Sequence, residues 1–352
     1  MPAARNTDHR WFDAHLDLAY LAEIGRDMHA EPGDARGRLH PASVTLPGLR
    51  AGRVRACLAT VFTEPVSPDQ TDPETGAFAY PAGDVDAAER AGLRQLKLYH
   101  AWRGAGAIAG LHDADAPEDV LRAGVLLENA DPVRSPEDLA TWAEGGVVAV
   151  GLCWALPSRY AAGNASEPGA AGDGLTSAGR DMVAAIDQAG LVHDLSHLSQ
   201  RSTEELLGLA EGRLIASHSN ARALLPGLTP KVAQRHLADA TIKAIVDRDG
   251  IVGINLYSTF LREGATGRVR ASVDDVIAHA EHVCAIAGDR RHVGLGSDMD
   301  GGFGADRLPE GINGPSDLEK LAEALSSRGW SGEEVAGFCF ANWARFWGIQ
   351  DG

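Results

Sequence analysis

The sequence has few cysteines, a deficit of basic residues and no long apolar run, and each of these shortages narrows what the chain can do. Its four cysteines, Cys57, Cys153, Cys284 and Cys339, are scattered through 352 residues without a CxxC pair. That spacing does not read as a disulfide framework, so each is expected to be a buried small apolar residue of a protein from a reducing compartment. Lysine and arginine together number 32 against 49 aspartates and glutamates, a net charge of -17. Phosphate backbones and anionic membranes both need a basic face, so nucleic-acid and membrane-surface partners are excluded. The acidity reads as a solvated surface that keeps the chain soluble. No run reaches the roughly 18 apolar residues that span a bilayer. The opening "MPAARNTDHRWFDAHLD" has no signal-peptide core, and the closing "ARFWGIQDG" carries no lipidation signal. A soluble, cytoplasmic protein is the expectation. No internal repeat is visible.

What the chain does have is an alternation of short apolar runs with helical patterns. The strand candidates are "WFDAHLDLA" (Trp11 to Ala19), "VRACLATVF" (Val54 to Phe62), "AGVLLENA" (Ala123 to Ala130) and "VVAVGLCW" (Val147 to Trp154). They continue with "LVHDLSHL" (Leu191 to Leu198), "RLIASHSN" (Arg213 to Asn220), "IVGINLYS" (Ile251 to Ser258) and "HVGLGSDMD" (His292 to Asp300). Most are continuously apolar, as expected for parallel strands covered on both faces. Helical segments fill the gaps. Ser135 is a candidate N-cap for one of them, Thr176 or Ser177 for the next, and "PKVAQRHLADATIKAIVDRDG" reads as a single helix. Eight βα units in 352 residues predict an α/β fold, a (β/α)8 TIM barrel forming one domain over residues 1–352. A doubly wound open sheet is the alternative, but no strand is followed by a glycine-rich phosphate loop. The Pro-rich stretch from Phe62 to Asp84 is expected to be a long loop, of the kind that often serves function.

In such a barrel the active site lies at the C-terminal mouth. Strand 1 brings His15 and Asp17 there, strand 3 Glu128, strand 5 His197 with Asp194 before it, strand 6 His218, and strand 8 Asp298 and Asp300. Imidazole and carboxylate are the ligand set that suits Zn2+. Three histidines with at least three carboxylates exceed one tetrahedral site. The surplus suggests two metals bridged by a carboxylate and a water, a pair that generates hydroxide near neutral pH and polarises a carbonyl. A lone histidine at a strand end is more often a hydrogen-bonded structural residue. Three at ends that share one mouth are not explained that way. His193 points to the opposite face from Asp194, and His292 precedes strand 8 at the far end of the barrel, so both read as structural.

The motifs "DAHLD", "LLEN", "DLSHLS", "ASHSNA" and "GLGSDMDGG", in this order and spacing, resemble the membrane (renal) dipeptidase family of the amidohydrolase superfamily. The resemblance runs from about Trp11 to the C-terminal "FANWARFWG". It implies a binuclear zinc dipeptidase, with other divalent metals admitted, that hydrolyses a dipeptide or analogue by a metal-bridging hydroxide. His15 and Asp17 would bind one metal, His197 and His218 the other, and Glu128 would bridge them. Asp298 would move a proton from the bridging water to the leaving amine. Asp194 and Asp300 would stand behind the ligands in support. The resemblance also implies tolerance of a D-residue at the C-terminal position and a homodimer, as is frequent in the family.

"QRHLAD" is similar to the family's substrate-carboxylate segment, which makes Arg235 the candidate there; the alternative is a helix-surface arginine. Mammalian members have a substrate-contacting histidine at the end of strand 4, where this chain has Trp154. An indole can only donate a hydrogen bond. Trp154 is then a pocket wall or a donor, with Arg159 beside it as a further substrate-binding candidate. This departure keeps two other readings open: an amidohydrolase acting on a cyclic amide, a lactone or an N-acyl amino acid, and a metal-binding barrel without catalysis.

Overall fold

Apolar runs bounded by glycine and polar turns hide both their faces best as parallel strands under a layer of helices. A computed structural model describes residues 9–66, 78–267 and 269–349 and has this arrangement. Its eight barrel strands are β1 (Trp11–Leu16), β2 (Val54–Val61), β3 (Leu121–Leu127), β4 (Val147–Gly151), β5 (Val192–Asp194), β6 (Leu214–Ala216), β7 (Ile251–Ile254) and β8 (Val293–Leu295). Neighbours in sequence are parallel neighbours in the sheet. β8 returns to β1 through Leu295 opposite Asp13, and β2 pairs with β3 from Ala56 opposite Arg122 to Val61 opposite Leu127. The sheet is therefore closed, and the expected (β/α)8 barrel is observed.

The sequence reading had no counterpart for two small features. Ile108–Gly110 pairs with the start of β3 before β4 takes over further along. Glu64–Val66 pairs with Ala79–Pro81 inside the expected long loop, whose middle, residues 67–77, lies outside the described residues. β5 and β6 are also shorter than expected, ending at Asp194 and Ala216. His197 and His218 thus sit on the turns that leave the strands, not on the strands.

Thr176 caps the helix Ser177–Gln188 by accepting the Gly179 N–H. The single helix expected after Pro230 is broken instead. One turn, Pro230–Ala233, is followed by a separate helix, Asp239–Asp247. Arg235 lies in the link and is buried, so it is not the helix-surface residue of the alternative reading.

Two apolar clusters hold the barrel. The larger joins strand residues such as Val125, Val252 and Leu295 to surrounding helices through Met182, Ile242 and Val283. The smaller gathers Phe12, Leu58, Leu126, Ile215 and Ile251 around Trp343 and Phe346 of the C-terminal helix Asn342–Trp347. Trp343 stacks on Phe12 at 5.6 Å and donates its indole N–H to the Leu295 carbonyl. Asn342 donates to Arg290 and Val293 carbonyls at the start of β8. The helix therefore closes the end where the strands begin, and the opposite mouth is left for chemistry. Among the described residues the cysteines are unpaired, and no helix is long and apolar enough to cross a membrane.

Candidate metal centre

Parallel strands that all run the same way deliver their following turns to one rim, and the polar residues converge there. His15 is the penultimate residue of β1 and Asp17 follows the strand, Glu128 follows β3, and His197, His218 and Asp298 lie on the turns after β5, β6 and β8. All six are buried. His197 and Asp298 have positive φ, 69° and 58°, as does Asp300 at 61°. Such backbone is uncommon outside glycine, and here it turns the side chains of His197 and Asp298 towards the shared cluster.

The donor atoms are close. Glu128 Oε1 lies 3.1 Å from His197 Nε2 and 3.8 Å from His218 Nε2, while Glu128 Oε2 lies 3.6 Å from His15 Nε2. His15 Nε2 is 3.6 Å from Asp17 Oδ1, and the Nε2 atoms of His197 and His218 are 2.8 Å apart. Three groups of side chains that could hold a metal have donors within 4.8 Å of one another, and these are the candidate ligand sets: His15, Asp17 and Glu128; Glu128, His197 and His218; and His15, His218 and Asp298. Glu128 is common to the first two. His15 Nε2 and Glu128 Oε2 are buried with no hydrogen-bond partner. Orphaned acceptors of this kind are costly unless something electropositive meets them. Imidazole and carboxylate donors fit a borderline divalent metal.

The electrostatics point the same way. Burial raises the carboxyl of Glu128 to about 8, with Asp194 adding to the effect and Arg235 opposing it. Burial and the charge of Glu128 raise Asp17, against the pull of His15 and Thr60. Burial raises Asp298 too; His15 opposes, and Asp17 and Glu128 reinforce. His197 and His218 are held well below the usual histidine range, first by burial and then by the neighbouring Arg235 and His15. Neutral imidazoles beside carboxylates that resist ionisation form a site that a cation would complete.

The support is fixed by hydrogen bonds. His197 Nδ1 meets the Asn164 amide oxygen at 3.1 Å, which leaves Nε2 free for the centre. Thr60 donates to Asp17, and the Asn255 amide donates to Asp298 Oδ2 at 2.9 Å. Asp194 accepts the backbone N–H groups of Ser196 and Ser217 and the Ser217 hydroxyl. Asp300 pairs with buried Arg26 at 2.7 Å and accepts the N–H groups of Ser43 and Val44.

A cavity of about 350 Å³ opens over the cluster and touches Asp17, Glu128, His197 and Asp298. Trp154 stands in its wall beside Phe62, ring centres 5.4 Å apart. Tyr257 stacks on Phe303 at 4.5 Å across the lining, and Glu64 adds a carboxylate to the wall outside the cluster. Arg235 is beside the cavity and not in its lining. Its guanidinium donates to the His218 carbonyl at 2.8 Å and the Ser219 hydroxyl at 3.0 Å, packs 5.0 Å over Phe260, which lines the cavity, and leaves Nε without a partner. Arg159 is not brought to the cavity. Its guanidinium donates to the carbonyls of Asp131, Val133 and Arg134 and so clamps the turn after β3. A larger hollow of about 1050 Å³, lined by Cys284, Arg290 and Arg345, lies beside the closing helix at the other end and contains none of the three ligand sets.

Sequence reasoning missed the walls Tyr20, Glu64, Tyr257, Phe260 and Phe303, and the support from Asn255 and Ser217. Asn255 and Tyr257 could have been found by reading the end of strand 7, "INLYS", for polar residues as the other ends were read.

The family model for membrane dipeptidases, peptidase family M19, matches residues 5–351. A similar sequence is an uncharacterised protein in the pqqA 5′ region of Klebsiella pneumoniae, 31% identical over 211 residues, 59% of this chain and 74% of that protein. Dipeptidase aclJ of Aspergillus oryzae is 32% identical over 210 residues, 60% of this chain but 47% of its own length. Among solved structures, the dipeptidase AC, a metallopeptidase of family M19, has a TM-score of 0.77 at 25% identity, covering 97% of this chain and 100% of that one. A metallopeptidase of Rhodobacter sphaeroides, liganded with a phosphinate mimic of the dipeptide L-Ala-D-Ala, shares the fold, with a TM-score of 0.76 at 24% identity over 96% of this chain and 97% of its own.

Proposed function

Because the chain belongs to the membrane dipeptidase family of metallopeptidases, we propose that it is a binuclear zinc dipeptidase that hydrolyses the amide bond of free dipeptides, including some with a C-terminal D-residue. The observation that carries this reading is the convergence of the two ligand sets on Glu128, with His15 Nε2 and Glu128 Oε2 left unpartnered between them. His15, Asp17 and Glu128 would hold one ion, and Glu128, His197 and His218 the other. When bound, such a pair supplies Lewis-acid polarisation of the amide carbonyl and acidifies the attacking water.

The protein's own part is proton handling and orientation. Asn255 occupies Asp298 Oδ2, so Oδ1 is the oxygen free to take a proton from the attacking water and pass it to the leaving amine. A side chain at Gly301 would collide with that Oδ1, which accounts for glycine there. Trp154 walls the cavity without offering a proton, and the aromatic residues around it exclude water. Arg235 is our candidate for the substrate carboxylate. It is a buried cation with a spare Nε–H, felt by Glu128 and Asp298, next to an otherwise acidic centre.

Trp154 and the absence of an arginine from the described lining favour one second reading, an amidohydrolase acting on a cyclic amide, a lactone or an N-acyl amino acid. The test is a panel of L,L and L,D dipeptides beside those three classes, with zinc-reconstituted protein. Turnover confined to dipeptides and abolished by a chelator is expected. Turnover only of another class would replace the dipeptidase reading.

A further inference from the structure

Ser217, the first residue after β6, has a fully buried hydroxyl that meets three partners at once. Its Oγ lies 2.5 Å from Asp194 Oδ2, 2.8 Å from His218 Nδ1 and 3.3 Å from His15 Nδ1. A hydroxyl has one proton to donate and two lone pairs. Asp194 already accepts two backbone N–H groups on Oδ1, so its Oδ2 takes the hydroxyl proton. The Ser196 hydroxyl at 3.4 Å is a poorer acceptor for it and is engaged with Ser219 Oγ at 3.1 Å. Both lone pairs of Ser217 are then left for the two imidazoles, and each Nδ1 must carry its proton. The rings of His15 and His218 stack with centres 3.5 Å apart, so both Nδ1 edges turn to the one oxygen. Each Nε2 is thereby an unprotonated acceptor aimed at the Glu128 cluster.

We propose that Ser217 is a positioning residue shared by both metal sites, whose single hydroxyl, held by Asp194, fixes His15 of one ligand set and His218 of the other in the Nδ1–H tautomer. An imidazole whose outer nitrogen is held in this way is oriented for its metal, and loss of such a partner commonly weakens affinity about 10–100-fold. Here one oxygen serves a histidine from each set, so one substitution reaches both sites. The claim about two metal sites rests on the binuclear reading; the claim about the tautomers does not.

The test separates the two. Long-range 1H–15N correlation on chelator-stripped protein labelled with 15N-histidine reads which ring nitrogen carries the proton, with His15→Gln and His218→Gln assigning the signals. Wild type is expected to show Nδ1–H at both rings. Ser217→Ala should lose the fixed pattern at both, and Ser217→Thr should keep it. Chelator competition with zinc, counted by mass spectrometry, should show Ser217→Ala weakened about 10–100-fold at both sites and Ser217→Thr near wild type. An Nε2–H ring at His15 or His218 in wild type overturns the proposal, whether or not the alanine variant folds. So does a folded Ser217→Ala that keeps both tautomers and both affinities. A wild type that takes up one zinc defeats the binuclear reading, and the ring pattern then still decides whether Ser217 sets the two tautomers.

Discussion

Replacing Glu128 with glutamine should make the metal-free protein more stable while removing most of its response to metal. Glu128 is 4% exposed, and burial moves its carboxyl from 4.5 to about 8. The folded state therefore holds this proton more tightly than the unfolded chain does. Between those two values the unfolded chain binds fewer protons, so stability falls as pH rises from about 4.5 towards about 8. At pH 7 each unit above 4.5 costs about 1.4 kcal/mol, or about 3 kcal/mol in all. Glutamine has no charge to desolvate and avoids that cost. Urea denaturation of chelator-stripped proteins should show Glu128→Gln more stable by about 3 kcal/mol at pH 7. The gain should fall to about 0.4 kcal/mol near pH 4.5, where the unfolded wild type is half ionised, and vanish about one unit lower, where both states keep the proton. Zinc should then reverse the order, because a ligand that binds only the native state stabilises it and the variant has lost the residue common to both ligand sets. A metal-free variant less stable than wild type at pH 7 would refute this reasoning, since Glu128 would then be contributing favourable contacts to the empty centre.

Three further outcomes are expected. Asp298→Asn should keep its bound metal and lose about 10²–10⁴-fold in kcat, because asparagine preserves the shape but cannot accept a proton; more than a tenth of wild-type kcat would remove Asp298 from proton transfer. Arg235→Ala should lose about 2–5 kcal/mol of transition-state binding for free dipeptides relative to their amides, as expected for a desolvated charge pair. Equal losses would show that Arg235 does not read the carboxylate. Wild type should prefer a lysine-containing dipeptide over its norleucine analogue by a few-fold, and Glu64→Gln should flatten the ratio by about 0.2–1 kcal/mol, since Glu64 is part-exposed in the wall; an unchanged ratio would show that Glu64 meets no ammonium group.

The barrel and the polar residues gathered at its mouth were legible because they follow from chemical type and position. Continuous apolar runs imply parallel strands, and parallel strands imply one mouth. A histidine or carboxylate at a strand end, as at His15 and Glu128, therefore has few places to go. What depended on how the loops fold back was not legible. The break at Gln234 that buries Arg235 carries no glycine, and the preceding Pro230 signals only a helix start. Arg159 is near Trp154 in sequence, but the turn through Pro157 and Ser158 sends its guanidinium to the carbonyls beyond β3 and away from the cavity. The walls Tyr257 and Phe260 come from one short helical turn after β7 and Phe303 from the loop after β8, and only tertiary packing brings Phe303 to them. Ser217 looked unremarkable beside His218, because a hydroxyl's importance depends on which acceptors and donors surround it.

The proposed binuclear centre is tested most directly by anomalous diffraction from crystals of the zinc-reconstituted protein, collected at the zinc edge. Two peaks of similar height are expected at the C-terminal mouth, roughly 3.5 Å apart, one against His15 and Asp17, the other against His197 and His218, with Glu128 between them. A fully loaded crystal with a single peak, or with Glu128 turned away from both, would contradict it.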